Sequence, residues 1–325
     1  MNGYFITLRN ALVGGSLSGV QLEALLTTDA RAVDWLSAWA TMVRQRASML
    51  VVGASHSAML AVTGSATAFG LLVRSSVALQ AFLELGMLEA QTHTTSGNLS
   101  IPTIGYYAAG ALCVGAGGGS GGTGNSSWRS GGGAGGNIVA GALPAGLTGN
   151  IPVTVGPGGA AGGGSSNGAD GAASSVGAHV TAAGGKGSIV ASSGAPNNGP
   201  GGVASSLVST GRVVFPNLTT ALWHPPFAVR GGIGSDGNTA GAAAAGGSAV
   251  SVDGQVLGAG GAPSAQAGQT WGGGGSGCGS GTNTGAAGAP NSGAGASGAG
   301  STGSSVNGQA GGSGVVRTFL LRRWQ

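Results

Sequence analysis

The chain has 325 residues, only 6% of them charged, and a formal net charge of +4. A dispersed monomer usually carries about a quarter charged residues, so this composition points to a static assembly whose faces are largely covered. The basic excess collects at Arg317, Arg322 and Arg323, with no basic stripe interleaved by aromatics. Nucleic acid is therefore not an expected partner.

The opening Met-Asn-Gly-Tyr-Phe-Ile-Thr-Leu-Arg lacks the basic-then-apolar order of a secretory signal, so manufacture in a cytoplasm is expected. Residues 3–12 are an apolar-rich head whose pattern fits no single secondary structure. Ser18 with Gln21 fits a capping box, and Leu22, Leu25 and Leu26 follow at helical spacing. Thr28-Asp29 can cap a second helix with Ala32, Trp35, Leu36, Trp39, Met42 and Val43 on one face. Trp35 and Trp39 pack most simply into a helical core. The alternative is a docking surface for a larger assembly, which makes residues 1–44 a candidate attachment region.

A period of ten follows. Trp39/Met42, Met49/Val52, Met59/Val62, Phe69/Leu72 and Leu79/Phe82 recur in step, each pair preceded by a small residue (Ala38, Ser48, Ala58, Ala68, Ala78). Ten residues over three turns is about 3.3 per turn, tighter than a heptad. The repeat is either a strained coil or a set of short helices broken near Gly53, Gly64, Gly70 and Gly86. Such a narrow stripe is expected to need parallel copies of itself, which makes residues 45–91 a helical shaft with those pairs at its core. Residues 47–73 carry no formal charge, but their Ser, Thr and His content and their periodicity argue against a membrane span. His56 falls on the stripe as a core histidine. From 92 to 104 the pattern dissolves into Thr, Ser and Asn, a neck, and residues 105–325 form the distal head.

That head is rich in glycine: 62 of the 215 residues from position 111 onwards, about four times the usual share. Strand-like islands punctuate it at 137–140, 151–156, 179–182, 188–191, 249–253 and 315–321. A flexible linker has no reason to alternate in this way, so an ordered scaffold is expected. The tracts between the islands can be tight turns or threefold extended helices bundled through their backbone amides. Residues 203–230 interrupt the glycine with Arg212, Phe215, Trp223, His224 and Phe227, a hairpin or a projecting loop. Cys113 and Cys278 are too few and too far apart for a disulfide framework and read as buried thiols.

The runs Leu112-Cys-Val-Gly-Ala-Gly-Gly-Gly, Gly131-Gly-Gly-Ala-Gly-Gly, Ile151-Pro-Val-Thr-Val-Gly-Pro-Gly-Gly, Asn167-Gly-Ala-Asp-Gly and Val180-Thr-Ala-Ala-Gly-Gly resemble the glycine-rich domain of tailed-bacteriophage tail fibres. The small-residue decads are similar to the repeats of such fibre shafts, so the resemblance covers about residues 45–320. The 203–230 interruption departs from the pattern. The resemblance implies a homotrimeric fibre of the virion tail, made in the host cytoplasm. Its N-terminal region would hold baseplate or tail-tip proteins. Its mainly-β, polyglycine II-type head would meet a bacterial pilus, lipopolysaccharide or outer-membrane protein.

Catalysis finds little support. Asp170, Asp236 and Asp253 are isolated turn acids, and His179 and His224 lack partners at metal-ligand spacing. No glycine tract ends in Gly-Lys-Ser/Thr before a helix. No enzyme activity, cofactor or metal is expected. Binding fits better. Trp128 with Arg129, Trp223 with His224, Phe227 and Trp271 stand among turn residues, and aromatics with Arg dominate contact energies. They are the candidate receptor contacts, against the alternative of a local core. A purely structural tail-tip protein with the glycine region as spacer is the competing reading, and a glycine-rich cell-surface or ice-binding protein is another.

Overall fold

The computed structural model describes residues 3–124, 129–190, 202–203, 207–211, 214, 221–236, 245–262, 268, 271–278, 284–301 and 305–323. The apolar head is a helix, α1 (Gly3–Val13), burying Phe5, Leu8 and Leu12. The capping box at Ser18 and Gln21 opens α2 (Gly19–Thr27). The next helix, α3 (Ala32–Met42), begins later than its cap signal suggests: Arg31 is the N-cap, and Asp29 instead accepts the Arg31 N–H.

The decads fold as four short helices, α4 (Arg46–Gly53), α5 (His56–Thr63), α6 (Ala66–Leu72) and α7 (Ser76–Glu84). Each corner is the same turn. Ser55, Ser65 and Ser75 are extended, and each Oγ accepts the N–H of the alanine three residues on, satisfying a donor that a helix start leaves open. At the last corner α6 and α7 meet at 83°, and α7 packs back on α4. The repeat is therefore a closed turn of helices, and the charge-free run 47–73 is cut by two of its corners. No single helix among the described residues is long and apolar enough to cross a membrane.

This geometry corrects the shaft. Met49, Val52, Met59, Val62, Leu72, Leu79 and Phe82 are buried by their own chain, and Phe69 is half-buried beside them. Ala58, Ala68 and Ala78 are 0% exposed, which explains the small residue before each apolar pair: it faces the crowded inside of the turn. The helices α1, α2 and α3 close over the rest. The stripe thus finds its cover without further copies.

The expected neck is instead two strands. A five-stranded antiparallel sheet has the order β1 (Leu88–His93), β11 (Val315–Arg322), β3 (Tyr106–Val114), β4 (Ile138–Ala142) and β8 (Phe227–Val229). A four-stranded sheet has β2 (Gly97–Ile101), β5 (Gly149–Thr154), β6 (Ser174–Val176) and β7 (Val180–Ala182). The pair β9 (Ala249–Val250) and β10 (Val256–Gly258) stands apart. Alternation on β3 and β11 builds two cores. Leu112, Val114, Phe319 and Leu321 face the helices, while Ala111, Cys113, Val316 and Leu320 face Ile151, Val153 and Val180 of the second sheet.

Beyond the sheets the glycine tracts continue the strands. Along 115–123 the N–H groups rotate through three neighbours. Gly115 and Gly118 donate to Asn137 and Ala134, Ala116 and Gly119 to Ala172 and Ala169, Gly117 and Ser120 to Gly312 and Gln309. Three residues per turn is the polyproline II period. The carbonyls of this tract receive Gly159 and Gly162, Gly185 and Ser188, and Ala296 from three further tracts. Six neighbours around one extended helix make hexagonal packing. A Cβ added at Gly117 would lie 2.0 Å from the Ala294 oxygen, and one at Gly118 2.1 Å from the Lys186 oxygen. Backbone fills the space that side chains take in an ordinary core.

Two predictions follow from this packing. A Cβ at Gly133 would lie 2.1 Å from the Gly118 oxygen, whereas at Gly163 its nearest neighbour is the Ser166 hydroxyl at 3.4 Å. Gly133→Ala should therefore cost at least about 1–3 kcal/mol and Gly163→Ala within about 0.5 kcal/mol; equal melting curves would sink the close-packing account. In the helical layer Glu23 accepts from the Ser65 hydroxyl and from the Thr67 hydroxyl and N–H. These bonds, with Ser65 the largest, hold its carboxyl below the usual value of 4.5. A lowered folded pKa stabilises above the unfolded value and is lost as pH falls through the folded one. Glu23→Gln should therefore flatten the loss of helical stability on acidification, read by circular dichroism from pH 7 to pH 3, and an unchanged acid profile would refute the linkage.

Candidate functional site

Glycine tracts carry almost no side chains, so any recognition must come from the few positions that do. The structure sorts the aromatic candidates first. Trp223, His224 and Phe227 are each 3% exposed. Trp223 lies edge-on to Phe69, with ring centroids 5.7 Å apart, and 5.9 Å from Phe319. His224 sits between Phe227 and Phe319 at 5.8 and 5.6 Å. The Trp223 ring lies over Gly110 of the sheet, where a Cβ would stand in ordinary contact with it at 3.4 Å. Trp223, His224 and Phe227 thus wedge between the helices and the five-stranded sheet, where a receptor cannot reach them; Arg212 and Phe215 lie outside the described residues.

A buried arginine fixes that wedge. The Arg317 guanidinium donates to the Ala221 carbonyl at 3.0 Å and to the Thr92 hydroxyl at 3.2 Å, and burial lowers its pKa. Trp271 has a φ of 57° and packs half-buried on the edge of the same core. Trp39 is also interior, its indole N–H bonded to the Ala68 carbonyl at 3.0 Å, so it is not an attachment surface. Trp35 is half-buried, edge-on to Tyr4 at 4.6 Å. Trp128 lies outside the described residues.

Arg129 alone sits where the bundle ends. It is buried, pairs across to Gly300, and its guanidinium donates to the Ser301 carbonyl. Register places the other tract ends on the same side. Thr123 pairs with Val306, Gly122 donates to Ser166, Gly121 to the Ser188 hydroxyl, Gly132 to Ser235, and Cys278 to Ser130. These positions lie one full tract away from the strands, so the ends of at least six tracts gather at the end of the bundle farthest from the strands. Sequence reading missed this face because it searched for large residues. The signal was tract length, since tracts entered from strands of one sandwich and of similar length must finish together.

The titratable groups add little chemistry there. Burial pushes the Cys113 thiol up to about 12, and burial raises Cys278 too, against the opposing charge of Arg129. Burial works to raise Asp170, but the Lys186 ammonium and the Gly187 N–H outweigh it and hold the carboxyl below its usual value. Its 2.6 Å pair with Lys186 is about half exposed, a weak clip between neighbouring tracts. Among the described residues no three His, Cys, Asp or Glu side chains come together as metal ligands.

A search of curated proteins finds no match to the chain. A protein-family model for a glycine-rich domain matches residues 94–318, more than two thirds of the sequence. That span contains β2 to β10, the first half of β11 and every glycine tract of the bundle. The chain belongs to this glycine-rich domain family.

Proposed function

We propose that the chain is a receptor-binding component of a bacteriophage tail, carried on the virion by its helical layer and adhering to the bacterial surface through the far face of the glycine bundle. The observation that carries this reading is polarity. The seven helices pack against the five-stranded sheet at the root of the bundle, and the tract ends gather one full tract away from the strands. Side chains between these ends are mostly glycine, alanine and serine and are consumed by packing. Recognition at one end and attachment at the other is the division of labour that such a body suits. The glycine-rich family supports the head, and the resemblance to tail-fibre sequences supplies the setting. Pilus, lipopolysaccharide and outer-membrane protein remain the receptor classes proposed.

The oligomeric expectation changes with the fold. A decad stripe covered by its own chain no longer supplies the interface of a homotrimeric shaft, so one copy per attachment point is proposed. Multivalency would then come from copies at several attachment points of one tail acting together. The spacer reading keeps the same body but gives the far face no ligand.

Two measurements test the proposal. Light scattering of the full chain should give 30.3 kDa, and three times that mass would restore the trimer. The boundary for a chimera falls at Gly86, between α7 and β1, since a cut at 105 would remove two strands. Exchanging residues 86–325 between related phages should transfer host range with the head; host range that stays with the helical part would favour the spacer.

A further inference from the structure

The attachment reading leaves open which part of the helical layer meets the tail, and the decads mark one place. Arg44 and Arg74 hold the same position in the repeat, the residue just past the end of a short helix; the equivalent residues are Ala54 and Gly64. The difference follows cover. Gly64 is pressed against Gly19, where a Cβ would lie 2.6 Å from its backbone, so that corner has no room for a side chain. The corners at 44 and 74 are open and both arginines are exposed.

The fold brings these two corners together. The Ser75 hydroxyl donates to the Val43 carbonyl, and between the corners lies a cleft of about 280 Å³. Its floor is Ala40, Val43, Leu71 and Val77, and Arg44 and Arg74 line it. No acid lines the cleft, and no ion pair among the described residues includes either arginine. Acids of the helical layer have other partners: Glu84 pairs with Arg46, Glu23 accepts from Ser65 and Thr67, and Asp29 accepts the Arg31 N–H. One arginine past a helix end merely complements the helix dipole. Two lining one cleft without a counter-charge form a surface complementary to an acidic partner.

We propose that this cleft is the docking point for a segment of a tail protein that presents an apolar side chain between carboxylates. The inference rests on the reading that the helical layer is the attachment end. The volume admits one or two side chains, so the partner offers a short anchor. Guanidinium forks pair bidentately with carboxylates, and a cleft edged by them fixes orientation as well as position.

The test uses purified full-length protein and tail particles assembled without it, with bound protein measured after sedimentation. Wild type should bind, less tightly as salt is raised. The double variant Arg44→Glu/Arg74→Glu should bind at least about ten-fold more weakly, while Arg44→Lys/Arg74→Lys keeps most of the binding. Val77→Asp, which places an acid on the floor without touching either arginine, should weaken binding too, and unchanged helical melting checks that each variant folds. If wild type binds and the Glu and Asp variants bind equally well, the cleft is not the docking point and the attachment reading stands. If wild type does not bind the particles, the attachment reading itself fails and takes the inference with it.

Discussion

The glycine head depends on one constraint: every amide in a threefold extended helix points at a different neighbour. A β-strand satisfies its backbone with two partners in one plane, but the tract at 115–123 donates to three and accepts from three more. None of its groups can be met within the tract itself, and buried backbone groups left unmet are costly. Such a helix exists only if all its neighbours are already in register. Close approach then forces glycine wherever a side chain would meet a carbonyl, as at Gly117 and Gly118, while Ala116 and Ser120 show where the lattice leaves room.

What sets the register is the sandwich. Both lattices are spaced by one amide hydrogen bond, so a strand can pass into a tract without a sidestep: β3 runs into 115–123, β5 into 155–163, β7 into 183–190, and 306–314 returns into β11. Hydrophobic burial, which the tracts lack, is supplied at their roots by the two cores on the faces of the five-stranded sheet. The strand β11 lies second in that sheet, between β1 and β3. Joining β1, next to the helices, to the roots of the bundle thus falls to nearly the last residues of the chain.

Legibility in the sequence followed the range of the interaction. Local signals translated directly. The capping box at Ser18 and Gln21 is present, and the islands at 137–140, 151–156, 179–182 and 315–321 coincide with β4, β5, β7 and β11. The decads were visible as a period, but their meaning turned on a cap that the apolar pattern hides. Ser55, Ser65 and Ser75 end each helix where a coil would continue, so a stripe that looked intermolecular is folded on itself. Trp223 and His224 failed for a related reason. Flanking turn residues let an aromatic project, but they let it fold inward equally well, and only Phe69 and Phe319, more than 90 residues away in either direction, decide which.

The same physics says where variation can enter. Within the lattice a side chain is limited by a carbonyl roughly 2 Å from where its Cβ would be, and a change at one tract is felt by six others. In the sandwich each residue serves one of two cores. Even near the tract ends the side chains are tied into the lattice: Arg129 donates to the Ser301 carbonyl, Ser130 to that of Ala299 and Ser188 to that of Gly131. Tolerance to sequence change therefore lies where the lattice leaves space, as at Gly163, where a Cβ would meet no carbonyl. A body built this way separates the residues that hold it together from those free to recognise something else, and it does so with glycine, the residue that carries no recognition of its own.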